Sequence, residues 1–182
     1  MGPGDFAAIF VLLLRTLIPF TILRWPLAGG IASMLADAID VMIFEAFGAG
    51  FLSGLSYHKY DKTFDTFYLF IEFLVVRKWS DKLARKTGSI LFIWGFLGFL
   101  AFMLFSFRAA FFFAPNIFEY FFITMLIIWK LNKKFKLNIK KLVIILLAIG
   151  IPSMIKEYLM HFKYPDQTWA FWRDHLFWWL YK

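Results

Sequence analysis

Cysteine is absent from this sequence, and with it go disulfides, thiolate metal sites and cysteine nucleophiles. Histidine is scarce, at three residues. A catalytic histidine needs an orienting partner and a nucleophile nearby, and His161 shows neither. His58 reads as a loop residue, with a phosphate contact as the alternative. Internal repeats and low-complexity linkers are missing, and no stretch is long and polar enough to form a separate soluble domain. What fills the chain instead is apolar: 62% of its 182 residues are hydrophobic, 26 of them phenylalanine, and the mean hydropathy is +0.70. A soluble domain of this length cannot hide that much apolar surface, so the expected class is an all-α, polytopic integral membrane protein.

Six apolar segments can be drawn, at about 5–23, 27–47, 62–78, 88–107, 111–130 and 140–160. Each approaches the roughly 20 residues that a bilayer-spanning helix needs, and the third is the shortest. Arg24, Trp25 and Pro26 form a tight turn between the first two, with Pro26 suited to open a helix. The next loop, GAGFLSGLSYHKY, carries Gly48, Gly50 and Gly54, which let its backbone bend sharply. The net charge of +8 lies mostly in RKWSDKLARK (77–86) and KLNKKFKLNIKK (130–141), a pattern suited to membrane orientation and anionic headgroups rather than nucleic acid. Residues 1–164 then form a six-helix domain. Residues 165–182 form an interfacial tail, in which Trp169, Trp172, Leu176 and Trp179 fall at helical spacing; a partner-binding helix is the alternative. The start MGPGDFAAIF lacks a basic n-region and a cleavage site, so the first segment is expected to be a retained helix.

Two pairs of aspartates stand out against this apolar background. Asp37 and Asp40 are three apart, Asp61 and Asp65 four apart, and both spacings put a pair of carboxylates on one face of a helix. An ionisable group in a membrane segment costs on the order of 3 kcal/mol, so it usually has a partner and a function. A hairpin centred near Trp25 and Pro26 sets Arg15 opposite Asp37, which gives one reading: a buried ion pair that fixes packing. A compact second loop would bring Asp40 and Asp65 to similar depth, which gives the other. Four converging carboxylates repel unless a positive charge sits among them, and all-oxygen ligation favours Mg²⁺ or Mn²⁺. Glu72 follows Asp65 by seven residues on the same face; it either extends this polar region or pairs with a base on another helix. Arg108 and Glu119 read as a mutual ion pair, Pro115 and Asn116 as a helix start, and Lys156 and Glu157 as groups reaching for the headgroups.

At these residues the chain resembles the CDP-alcohol phosphatidyltransferase family, six-helix membrane enzymes with the signature D-x2-D-G-x2-A-R, a spacer, then G-x3-D-x3-D. Asp37-Ala-Ile-Asp40 is similar to the first pair and Asp61-Lys-Thr-Phe-Asp65 to the second, and LLLRTLIPF, with Arg15 and Pro19, resembles the family's first helix. The resemblance covers roughly residues 12–68. It implies that Asp37, Asp40, Asp61 and Asp65 hold two metal ions and that Asp65 deprotonates an acceptor hydroxyl. The alkoxide would attack the β-phosphorus of a CDP-linked donor and release CMP. Val41, Phe44, Glu45 and Tyr57 replace the small residues and arginine that receive the nucleotide in that family. The expected function is therefore a metal-dependent membrane transferase moving a phosphate-linked group onto an alcohol, with Lys59 and Lys62 as phosphate contacts. The alternative is an inactive relative that binds lipid or acts as a scaffold. The partners implied are membrane lipids, a CDP-linked or other diphosphate lipid donor, and a second copy in a homodimer; the expected location is a prokaryotic cytoplasmic membrane.

Overall fold

The computed structural model describes residues 1–52, 57–106 and 110–159, apart from the side chains at 51, 57, 58 and 111. The expected tail at 165–182, His161 and Arg108 lie outside the described residues. Among the described residues every regular element is helical.

Helix α1 (Pro3–Leu17) continues as a 3₁₀ turn over Ile18–Leu23. The change of pitch has a local cause: Pro19 has no N–H to donate, and its ring crowds the carbonyl of Arg15 four residues back. After Arg24 and Trp25 the chain reverses, and Pro26 takes the first position of α2 (Pro26–Phe47). The reversal is tight. A Cβ on Gly29 would stand 2.5 Å from the backbone nitrogen of Ile22, so only glycine allows α2 to lie against the 3₁₀ turn. At the opposite end a short 3₁₀ turn, Gly50–Leu52, packs on the start of α1; Gly50 has φ +52°, and a Cβ there would meet the Gly4 backbone at 2.5 Å.

Helix α3 (Tyr57–Val76) begins five residues earlier than the apolar run suggested, so Asp61 lies within its second turn instead of at its mouth. Helix α4 (Lys82–Phe105) is capped by Asp81, whose Oδ1 accepts from the amides of Leu83 and Ala84, both at 3.0 Å. The apolar segment expected at 111–130 is not one helix. It breaks into α5 (Ala110–Phe113) and α6 (Ile117–Leu131), because Pro115 disfavours helical backbone before it and Asn116 caps the start of α6. Helix α7 (Ile139–Tyr158) is capped by Asn138.

The three connections at 24–25, 77–81 and 132–138 meet at one end of the bundle, where the Leu137 amide donates to Asp81 Oδ2 at 3.0 Å. Just inside that end lies the aromatic core. Trp79 stacks on Phe122 with centroids 5.8 Å apart and meets Trp129 edge-on at 4.8 Å, and Phe73 stacks on Phe92 at 4.4 Å.

Among the described residues, three helical segments are long and apolar enough to cross a membrane: Pro3–Leu23, Pro26–Phe47 and Lys82–Phe105. Helix α3 carries five charged residues, α6 has only 15 residues, and α7 has lysines at both ends, so none of these three qualifies on composition. The surface is inverted relative to a water-soluble fold. Arg15, Asp40, Glu72 and Glu119 are buried while Phe10, Leu13, Leu35 and Ile93 face outward. That arrangement is compatible with a membrane protein.

The glycine contacts give a direct test of the hairpin. Gly29→Ala is expected to lower the melting temperature in detergent by several degrees, an overpacking cost of about 1–3 kcal/mol. Gly95→Ala, where an added Cβ meets nothing within 4 Å, should leave it unchanged or higher. Equal effects from the two changes would show that α2 does not pack on the 3₁₀ turn in this way.

Candidate functional site

Four carboxylates converge in the space between α1, α2 and α3, and a guanidinium stands at their centre. Arg15 Nη1 lies 2.8 Å from Asp37 Oδ1 and 3.1 Å from Asp61 Oδ1, and it also bonds Asp40 Oδ2. Its Nη2 donates to Asp65 Oδ1 at 2.6 Å. Lys62 reaches the same group from the outer side, with Nζ 2.7 Å from Asp65 Oδ2 and 3.3 Å from Asp61 Oδ2. The ring of Phe64 lies 5.8 Å from the guanidinium carbon.

Each helix is built to make this contact. Asp37 and Asp40 share a face of α2 at i and i+3, and Asp61 and Asp65 share a face of α3 at i and i+4. Arg15 stands about two residues before the pitch change that Pro19 imposes. It lies ten residues from the turn at Trp25, and Asp65 lies eleven from the end of α3, so the cluster is about 15 Å below that end of the bundle. The carboxylates are therefore at mid-depth in the helices, not in the connecting loop.

The site is closed on one side and open on the other. The Asp40 side chain is 1% exposed and that of Asp37 36%, with Asp61 and Asp65 between them. The Tyr60 ring packs at a tilt of 48° against Phe64, with centroids 4.8 Å apart, and its buried hydroxyl has no hydrogen-bond partner among the described residues. With all four carboxylates ionised, Arg15 and Lys62 set two positive charges against four negative ones among these six residues.

That excess bears on the cation expected here. Ligand oxygens of Asp37, Asp61 and Asp65 lie within 4.8 Å of one another. A Mg²⁺ or Mn²⁺ ion holds oxygens at about 2.1 Å, so opposite donors stand about 4.2 Å apart. The triad fits one hard cation after a small contraction, on condition that Arg15 Nη1 withdraws from between Asp37 and Asp61. Asp40 is not part of the triad; it is bonded to the guanidinium. The donor set accommodates one ion more readily than two.

No known protein family, curated protein or solved structure matches this chain. The site must therefore be read from its own residues.

Of the residues singled out in the sequence, Arg15, Asp37, Asp40, Asp61, Asp65 and Lys62 are brought together. Lys59 is not: it is exposed on the first turn of α3 and forms no ion pair among the described residues. Glu45 is exposed at the last turn of α2, beyond the cluster. Glu119 accepts from the Tyr68 hydroxyl at 2.6 Å and from the side-chain amide of Asn116 at 3.0 Å. Tyr68, on the same face of α3 as Asp65, was a partner that the sequence pattern did not reveal. Glu72 is fully buried against Gly30 and Phe122, and both of its oxygens lack a hydrogen-bond partner among the described residues. It pairs with no base there. Lys156 lies on α7 with Nζ 3.2 Å from the Tyr120 hydroxyl and 3.5 Å from Glu157 Oε1.

Two substitutions separate these roles. Arg15→Met removes the shared cation and leaves four carboxylates facing one another, so it should destabilise the fold by about 3–5 kcal/mol, read as loss of folded protein in detergent. Glu72→Met replaces an unpartnered buried carboxyl by an apolar side chain of similar length and should keep or raise the melting temperature. A large drop on Glu72→Met would mean that this carboxyl has a partner or bound ion that stabilises it.

Proposed function

We propose that this chain is a six-span membrane enzyme whose Asp37, Asp61 and Asp65 hold a divalent cation for transfer of a phosphate-linked group onto an alcohol. One observation carries the reading: oxygens of Asp37, Asp61 and Asp65 converge within 4.8 Å, and with all four aspartates ionised the six-residue cluster sets four negative charges against two positive. In a low-dielectric region an excess of that size calls for a counter-charge. The six spans are the three apolar segments together with α3, α5–α6 and α7, whose charged residues face inward or lie near the helix ends.

When bound, the cation would neutralise the phosphate of the donor and ease the charge that develops in transfer. The chain's own residues would do the rest. Asp65 accepts the proton of the acceptor hydroxyl, the hydroxyl oxygen forms a new bond to phosphorus, and the bond from phosphorus to the departing phosphate breaks. The electron pair of that bond leaves with the departing group, which is CMP where the donor is CDP-linked. Lys62, bonded to Asp65 and Asp61, orients the base and offers a positive charge to the phosphate. Asp40 would retain the Arg15 guanidinium when the triad takes up the cation, so that Arg15 is a positioning residue. Alkyl chains of donor and acceptor would lie along the outward apolar faces of α1 and α2.

A second reading has its own support. Arg15 already occupies the space between the carboxylates, as in a closed ion-pair network that locks three helices. On that reading the protein is an inactive lipid-binding or scaffold component.

Binding of Mn²⁺ to the purified full-length protein, monitored by electron paramagnetic resonance, separates the two. The enzyme reading expects one saturable Mn²⁺ site, displaced by Mg²⁺. Asp37→Asn and Asp65→Asn should each weaken it by more than about tenfold while the protein stays folded, a loss of at least about 1.4 kcal/mol. If Mn²⁺ in large excess shows no saturable binding, the metal-dependent reading fails and the ion-pair network stands.

A further inference from the structure

The end of the bundle where the connections at 24–25, 77–81 and 132–138 meet holds a cavity that the acidic cluster does not touch. It is an open cleft of about 940 Å³ between the start of α2, the end of α3, the start of α4 and the segment joining α6 to α7. Five lysines line it: Lys78, Lys82, Lys133, Lys134 and Lys136. All five are exposed, and none forms an ion pair among the described residues. A single acid, Asp81, shares the cavity, and its carboxylate is fully engaged by backbone. Oδ1 accepts from Leu83 and Ala84 at the start of α4, and Oδ2 accepts from the Leu137 amide. The five lysines thus face a concave space with one carboxylate among them, an excess of four positive charges in the lining.

The remaining wall is apolar and aromatic. Val75, Leu83 and Leu126 line it, with Trp79 and Trp129 meeting edge-on at 4.8 Å. Tryptophan favours the boundary between headgroup and hydrocarbon, and lysine clusters just beyond helix ends attract anionic headgroups. The cavity therefore offers positive charge to a phosphate and an apolar wall to the group attached to it. We propose that it is a binding site for the phosphate of an acidic phospholipid headgroup, held by the five lysines with its glycerol end against the two tryptophans. Binding should strengthen with the number of phosphates, since one phosphate cannot satisfy five cations. The apolar wall is what selects a lipid over free phosphate. The site is independent of the aspartate cluster, which lies about 15 Å away along α1 and α3.

The test uses the full-length protein in phosphatidylcholine vesicles doped with phosphatidylglycerol or cardiolipin, with lipid binding measured by native mass spectrometry after gentle extraction. The combined change Lys133→Gln, Lys134→Gln and Lys136→Gln is compared with Lys86→Gln, Lys130→Gln and Lys140→Gln, which removes the same charge outside the cavity. The cavity variant should lose anionic-lipid binding on the order of a hundredfold, at roughly fivefold per lysine, and the control far less. Cardiolipin should be retained above phosphatidylglycerol in the wild type. Equal losses in the two variants, or no loss in either, overturn the proposal, because the attraction would then be diffuse. A third arm adds inorganic pyrophosphate to lipid-depleted protein. A rise in melting temperature equal to that given by cardiolipin would assign the site to free phosphate and overturn the lipid assignment.

Discussion

The position of every helix around the acidic centre depends on one guanidinium. Arg15 is 3% exposed and bonds Asp37 and Asp40 on α2 and Asp61 and Asp65 on α3. Burying one charge without partners costs several kcal/mol, and removing one partner from a buried set leaves that cost uncompensated. The three helices therefore cannot slide or rotate independently, since any displacement strands a carboxylate. The Pro19 pitch change, the Gly29 contact with the 3₁₀ turn and the Gly4–Gly50 contact at the far end fix α1 and α2 in the register that the guanidinium needs.

The molecule is divided by charge along its length. Carboxylates gather at mid-depth between α1, α2 and α3, and Glu72 and Glu119 continue the acidic character toward the aromatic core. Lysines gather at one end, beyond that core. Asp81 offsets only one of them, and its oxygens also hold the starts of α4 and of the segment leading to α7. An acidic group at this end thus serves backbone geometry and leaves the surrounding field positive. The apolar residues on the outer faces complete the arrangement, with charge inside or at the end and hydrocarbon on the flanks.

Much of this was legible in the sequence, and the limits have physical causes. Spacing alone placed each aspartate pair on one face, and the proline turn set Arg15 opposite Asp37, because helical periodicity is local information. The depth of the cluster was less legible. The apolar run began at residue 62 and left Asp61 at its edge, but α3 begins at Tyr57 and takes Asp61 into its second turn. The break at Pro115 was marked by the proline and asparagine, yet the apolar run on either side concealed it. Tyr68 and Glu119 lie 51 residues apart, and their hydrogen bond depends on how α6 packs on α3, which no local pattern encodes.

The same guanidinium that assembles the centre also governs what can enter it. A cation at the aspartate triad and Arg15 Nη1 compete for the oxygens of Asp37 and Asp61, so neither can be held fully while the other is present. Asp40 breaks the symmetry of that competition. It is almost completely buried and bonds Arg15 without belonging to the triad, so it gives the guanidinium a place to remain when the other carboxylates are engaged elsewhere. Asp37 is the most exposed of the four. On the proposed reading, the depth of Asp40 and the exposure of Asp37 thus define a direction of exchange.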